Sequence, residues 1–92
     1  MEARILSDTV ALTQQAINLS ALHRPGIYMV TKTEGTDPEL RRLNQIGLIP
    51  GMRVEAASCP SDGMMVLKIG GGRLALSRGA IGNVWVRFRK PL

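Results

Sequence analysis

The sequence predicts a mainly β domain: a small barrel of about five short strands, with one short helix after the first strand. Three observations predict it. Ten glycines and five prolines cut the 92 residues into short pieces, the punctuation of a β-rich chain. Between the cuts, apolar and polar residues alternate with the period of a strand. Only one well-capped stretch repeats its apolar residues at helical spacing. Closing such strands into a barrel hides the edges that separate hairpins leave open.

The elements follow in order. Residues 1–18 read either as a short helix capped by Ser7-Asp8 or as a loose N-terminal arm. Leu19 to Leu22 is an apolar step, and Arg24-Pro25-Gly26 a turn. Ile27 to Thr33 is a strand with Ile27, Met29 and Thr31 on one face and Tyr28, Val30 and Lys32 on the other. Asp37 then caps a helix, Pro38 fits its first turn, and Glu39 suits the positive end of the dipole. Leu40, Leu43 and Ile46 form its apolar stripe, and Gly47 stops it in a left-handed conformation. At about two and a half turns it needs a sheet to dock on. Met52 to Cys59 is a strand, Pro60-Ser61-Asp62-Gly63 a turn, Met64 to Ile69 a strand, Gly70-Gly71-Gly72 a hairpin turn and Arg73 to Ser77 the returning strand. Arg78 to Asn83 makes a corner of one helical turn. Val84 to Phe88 closes the sheet, with Val84, Val86 and Phe88 facing one way and Trp85 and Arg87 the other. The expected core contains Val54, Val66, Leu74, Leu76, Val84 and Val86, each contributing about 2 kcal/mol on burial. The domain plan is an N-terminal extension over 1–18, a barrel over 19–88 and a basic C-terminal tail over 89–92.

The length is that of one domain, which leaves no room for separate cofactor and substrate modules. A single cysteine, Cys59, excludes an internal disulfide and a cysteine zinc site, and a single histidine, His23, excludes a two-histidine metal motif. With one histidine and no nucleophile elbow, Ser7, Ser20 and Ser61 assemble into no triad. The acids Glu34, Asp37 and Glu39 surround a helix start, where they belong electrostatically. The chain reads as a binding module and not an enzyme. No run of 18 apolar residues spans a membrane, and the first residues lack the plan of a secretory signal. The expectation is a cytoplasmic protein without a cofactor.

Charge is unevenly spread. Residues 1–26 and 27–69 are each neutral, while residues 70–92 carry five cations and no acid, which accounts for the net charge of +5. Arg73, Arg78, Arg87, Arg89 and Lys90 are therefore candidates for a nucleic-acid surface, whose affinity would fall steeply with salt, or else a solvated strand face with a basic tail. Three aromatic residues, Tyr28, Trp85 and Phe88, are few for a base-stacking platform. Gly70 to Gly72 beside Lys68 and Arg73 lacks the strand-to-helix setting of a phosphate loop and reads as a hairpin. Direct Fe(II) binding, or binding of another divalent metal, has only dispersed acids, His23 and Cys59 to draw on.

The most informative stretch runs from Leu40 to Arg53. An amphipathic helix ends at glycine and is followed by Leu48, Ile49 and Pro50 before a second glycine. One reading is a connector whose leucine and isoleucine plug the barrel. The other is an exposed apolar knob, Leu48, Ile49 and Pro50, rimmed by Arg41, Arg42 and Arg53, the apolar-centre pattern of protein interfaces.

These residues resemble a known family. Leu19-Ser20-Ala21-Leu22 with Pro25-Gly26 is similar to the opening of the FeoA family, and Leu40-Arg41-Arg42-Leu43-Asn44-Gln45-Ile46-Gly47-Leu48-Ile49-Pro50-Gly51 resembles its central signature. Leu74-Ala75-Leu76, Ala80, Val84 and Val86 are similar to its closing segment. The resemblance spans about residues 19–88. It implies an SH3-like barrel and a cytoplasmic accessory of bacterial ferrous iron uptake that touches the cytosolic GTP-binding domain of the FeoB-type permease. Such a protein would sit at the inner membrane through that partner. A homo-oligomer stays open. The same domain forms the C-terminal part of iron-dependent repressors, but this chain has no helix-turn-helix region. Residues 1–18 lie outside the resemblance, and Gly79 and Gly82 loosen its last corner.

Overall fold

A computed structural model describes residues 15–58, 60 and 64–92. Six strands form one antiparallel sheet: β1 (Ala16–Asn18), β2 (Gly26–Thr33), β3 (Arg53–Ala56), β4 (Met64–Ile69), β5 (Gly72–Ser77) and β6 (Val84–Lys90), in the spatial order β1-β6-β2-β3-β4-β5. A 3-10 turn, Leu19–Ala21, follows β1; helix α1 (Asp37–Gln45) joins β2 to β3, and α2 (Arg78–Ile81) joins β5 to β6. This is the small barrel that the alternation predicts, of the SH3-like kind that the resemblance implies. The helix α2 packs on β4, β5 and the 3-10 turn, bridging the region between the two edges of the sheet.

The core explains the topology. Leu19, Tyr28, Val30, Leu43, Leu48, Val54, Met65, Leu67, Val84 and Val86 are buried in one cluster, drawn from the 3-10 turn, α1, the loop after it and four strands. Alternation in β6 is as the sequence predicts: Val84, Val86 and Phe88 are buried, and Trp85 and Arg87 are half-buried on the opposite face. The Tyr28 and Phe88 rings meet edge to face at 5.5 Å, and the Tyr28 hydroxyl donates to the Arg24 carbonyl at 2.7 Å, so its polar end is satisfied.

Several expectations are corrected. The sheet has six strands where about five were expected, because Ala16–Asn18 pairs with Arg87, Val86 and Trp85 of β6. The helix α1 consequently follows the second strand, and the N-terminal extension gives up its last residues to the sheet. The basic tail is shorter than expected: Arg89 and Lys90 continue β6, and Lys90 pairs with Ile27. Val66 is 46% exposed and Leu74 only half-buried; register places Met65 and Leu67 inward on β4 instead. The strand read as Met52 to Cys59 is regular only over Arg53–Ala56. In β2, Tyr28 and Val30 face the core as a pair, but the β2–β6 register shifts between Val30 and Lys32. That irregularity sets Lys32 outside, its ammonium 5.3 Å from the Trp85 ring centre. Cys59, the turn at Ser61-Asp62-Gly63 and the helix read from Ser7 lie outside the described residues.

The helix cap also sits one residue earlier than expected. Thr36, not Asp37, is the N-cap. The Thr36 backbone N–H donates to Glu39 Oε1 at 2.8 Å, and the Glu39 N–H donates back to Thr36 Oγ1 at 3.4 Å. This reciprocal pair satisfies two donors that the first turn leaves free. Asn83 Nδ2 donates to Glu39 Oε2 at 3.3 Å, and the Glu34 N–H donates to the Asn83 carbonyl at 2.9 Å, which ties the helix start to the corner before β6.

Candidate interaction surface

The segment after α1 is built by two glycines. Gly47 has φ +91°, and its N–H donates to the Asn44 carbonyl at 3.1 Å, while the Leu48 N–H donates to the Leu43 carbonyl at 2.9 Å. These are the two bonds of a Schellman motif, whose last residue turns back to touch the helix. Leu48 accordingly lies wholly inside, beside Leu43. Immediately afterwards the Met52 N–H donates to the Ile49 carbonyl at 3.0 Å. With Pro50 second and Gly51 third at φ +92°, this is a tight turn of type II composition. The turn is bolted to β2: Gly51 N–H donates to the Val30 carbonyl at 2.7 Å, and Val30 N–H to the Met52 carbonyl at 2.9 Å.

The predicted patch therefore divides. Leu48 is 0% exposed, so it plugs the barrel and is corrected out of the exposed knob. Ile49 is 40% exposed and Pro50 is exposed at the tip. Arg41, Arg42 and Arg53 are all exposed. Each of the two readings of this stretch thus holds for one residue of the Leu48-Ile49 pair. Helix α1 carries Arg41 and Arg42, and β3 carries Arg53, on either side of the turn.

The basic residues of the last quarter do not form one continuous group. Arg78 lies on α2, and Arg73 is the second residue of β5, opposite Lys68 of β4. Arg87, Arg89 and Lys90 lie together at the end of β6. There the structure adds a residue that sequence position hides: Arg53 of β3 pairs across β2 with Met29, and Met29 pairs with Arg87. Met29, Arg53, Arg89 and Lys90 line one cleft of about 240 Å³. The signal that could have found it is the alternation of β2 and β3, which sets Met29 and Arg53 outward. The aromatic residues are committed elsewhere. Tyr28 is in the core, Phe88 lies under the Arg24 guanidinium at 3.8 Å, and the Trp85 indole donates to Glu34 Oε1.

Among the described residues, no three acids, histidines or cysteines gather to hold a metal ion. His23 is exposed and lines a hollow with Leu22, Arg24, Tyr28 and Phe88. The Glu39 carboxyl is held below its ordinary value by the backbone N–H of Thr36, then by the Thr36 hydroxyl and the Asn83 amide. No helix among the described residues is long and apolar enough to cross a membrane.

Comparison with known proteins gives a consistent picture. A search of curated proteins gives no match. The crystal structure of the iron uptake regulatory protein FeoA superposes with a TM-score of 0.71 at 26% identity, covering 79% of this chain and 97% of that one. A manganese-dependent transcriptional repressor in complex with manganese gives 0.73 at 25% identity, covering 84% of this chain but 38% of that one. The manganese-activated repressor ScaR in its apo form gives 0.73 at 17% identity over 35% of its length, a likeness of fold. This chain thus spans well under half of the repressors and nearly all of the iron uptake regulatory protein. The FeoA domain family matches residues 17–88, so β2 to β5, both helices, the Leu48-to-Gly51 turn and most of β1 and β6 fall inside the match, while Ala16, Arg89 and Lys90 lie outside it. This chain belongs to the FeoA domain family, small accessory domains of ferrous iron transport systems.

Proposed function

We propose that this protein binds the cytosolic GTP-binding domain of a FeoB-type permease and regulates ferrous iron uptake by that contact, using Arg41, Arg42, Ile49, Pro50 and Arg53. The observation that carries the reading is the Ile49-Pro50 turn. An aliphatic side chain is held in solvent by a rigid turn whose neighbours are anchored to the core and to β2. Such an anchor needs little ordering on binding, which favours affinity, and arginines around an apolar centre are typical of interfaces. The protein contributes docking and no chemistry of its own. It works in the cytoplasm and reaches the membrane surface only through its partner.

The nucleic-acid reading is less well supported, because none of the three rings lies beside the β6 cations in their cleft and Arg73 and Arg78 stand apart from them. The test is a pull-down with the purified cytosolic domain of the permease. The Arg42→Glu, Ile49→Asp double variant, confirmed folded by circular dichroism, is expected to lose capture. Capture equal to that of the unmodified chain would remove this patch from the interface.

A further inference from the structure

The outer face where β3, β2 and β6 meet has a composition that folding alone does not require. Arg53, Met29 and Arg87 stand in one row across the three strands, since Met29 pairs with both arginines. The next register position brings Lys90 opposite Ile27, and the pairing shifts between Ile27 and Tyr28, so Arg89 is an extra residue in β6 there. A bulge of this kind re-aims side chains, and Arg89 and Lys90 both line the cleft with Arg53 and Met29. Arg53, Arg89 and Lys90 are exposed.

Among the described residues, none of these four cations is in an ion pair, and Glu55, the acid on the neighbouring row of β3, pairs with none of them. Arg87 is half-buried, and its Nε is shielded from solvent with no hydrogen-bond acceptor. A buried donor left without an acceptor is costly, and four like charges around one methionine repel one another. The repulsion falls when an anion enters the cleft. Two guanidinium forks and an ammonium fit several oxygens on one small group, and forked contacts favour phosphate and carboxylate oxygens. The number of cations favours a multiply charged group over a single carboxylate. The cleft volume, about 240 Å³, suits a small ligand better than a duplex, and no ring is available beside it for a base.

We infer that the Met29–Arg53–Arg89–Lys90 cleft, with Arg87 at its side, is a binding site for a small phosphate-bearing ligand carrying two or more negative charges. Arg53 and Arg89 clamp the phosphate oxygens, Lys90 adds charge, and Met29 gives an apolar floor. This inference is independent of the permease contact. Arg53 borders both surfaces, but Arg89 and Lys90 belong to the cleft alone, and the site works in the isolated chain.

The test is calorimetric titration of the full chain with sodium pyrophosphate, ionic strength held constant with sodium chloride. Saturable one-to-one binding is expected, with about tenfold or greater weakening in the Arg53→Gln, Arg89→Gln double variant and in Arg89→Gln alone. Arg78→Gln, on α2, is expected to bind like the unmodified chain. Circular dichroism checks each fold, and Arg89→Gln, an exposed change at a strand end, keeps the test decisive if the double variant fails to fold. Heat no greater than dilution overturns the site, as does equal affinity of Arg89→Gln. Parallel arms use phosphatidylcholine vesicles containing phosphatidylglycerol and a short DNA duplex. Binding to either of these without binding to pyrophosphate replaces the small ligand with a lipid surface or a nucleic acid and overturns the inference.

Discussion

The backbone N–H of Leu48 donates to the carbonyl of Leu43 across 2.9 Å, and the two leucines lie in the same buried cluster. The bond ends the helix and fixes which of two adjacent aliphatic residues enters the barrel. Ile49, one residue on, is left 40% exposed.

Leu48→Ala should therefore lower stability by about 2–5 kcal/mol, the range for removing a buried leucine side chain. Ile49→Ala should change it by no more than about 0.5 kcal/mol, as for an ordinary surface site. Urea unfolding of the two variants measures the contrast. Similar midpoints would contradict the division of the pair.

Gly51 isolates a backbone effect. It sits at φ +92°, and a Cβ built there meets nothing within 4 Å. Gly51→Ala should cost about 1–2 kcal/mol from left-handed strain alone, and Gly51→Asn should recover part of that, since asparagine visits this region more readily. Thermal denaturation of the three proteins gives the order, and an alanine variant as stable as the original would refute it.

The capping box predicts both a mutational and a pH effect. Thr36→Ala should cost about 1 kcal/mol. Glu39 is held below its ordinary 4.5 by hydrogen bonds from Thr36 and Asn83, so its folded carboxyl binds protons more weakly than the unfolded one. Its contribution is fully present above that ordinary value and is lost as pH falls from there through the lower folded value. Glu39→Gln should flatten this acidic part of the stability curve and leave the slope near neutrality unchanged. Unfolding midpoints measured across the acidic range check it.

On β4 the alternate faces should respond oppositely. Met65, 2% exposed, should cost about 2–5 kcal/mol on truncation to alanine, whereas Val66→Thr should be tolerated within about 0.5 kcal/mol because its side chain is in solvent. Chemical denaturation of both separates the observed register from one slipped by a single residue.

Local chemistry was legible in the sequence wherever neighbours along the chain decide it. Asp37-Pro38-Glu39 and the spacing of Leu40, Leu43 and Ile46 specify α1, Gly47 specifies its stop, Gly70 to Gly72 the hairpin, and the Val84-to-Phe88 alternation the last strand, because caps, turns and strand faces depend on residues within a few positions. The tertiary structure alone decided the rest. Alternation names two faces of β4 without saying which is inside, and only pairing with β3 and β5 turned Met65 inward and Val66 out. Asn18 and its two predecessors join a sheet only because β6 offers an edge. Arg53 lies far along the chain from Arg89 and Lys90, and they meet because β2 stands between their strands. Which residues share a surface is set by strand register, and register is a property of the packed sheet rather than of any one segment.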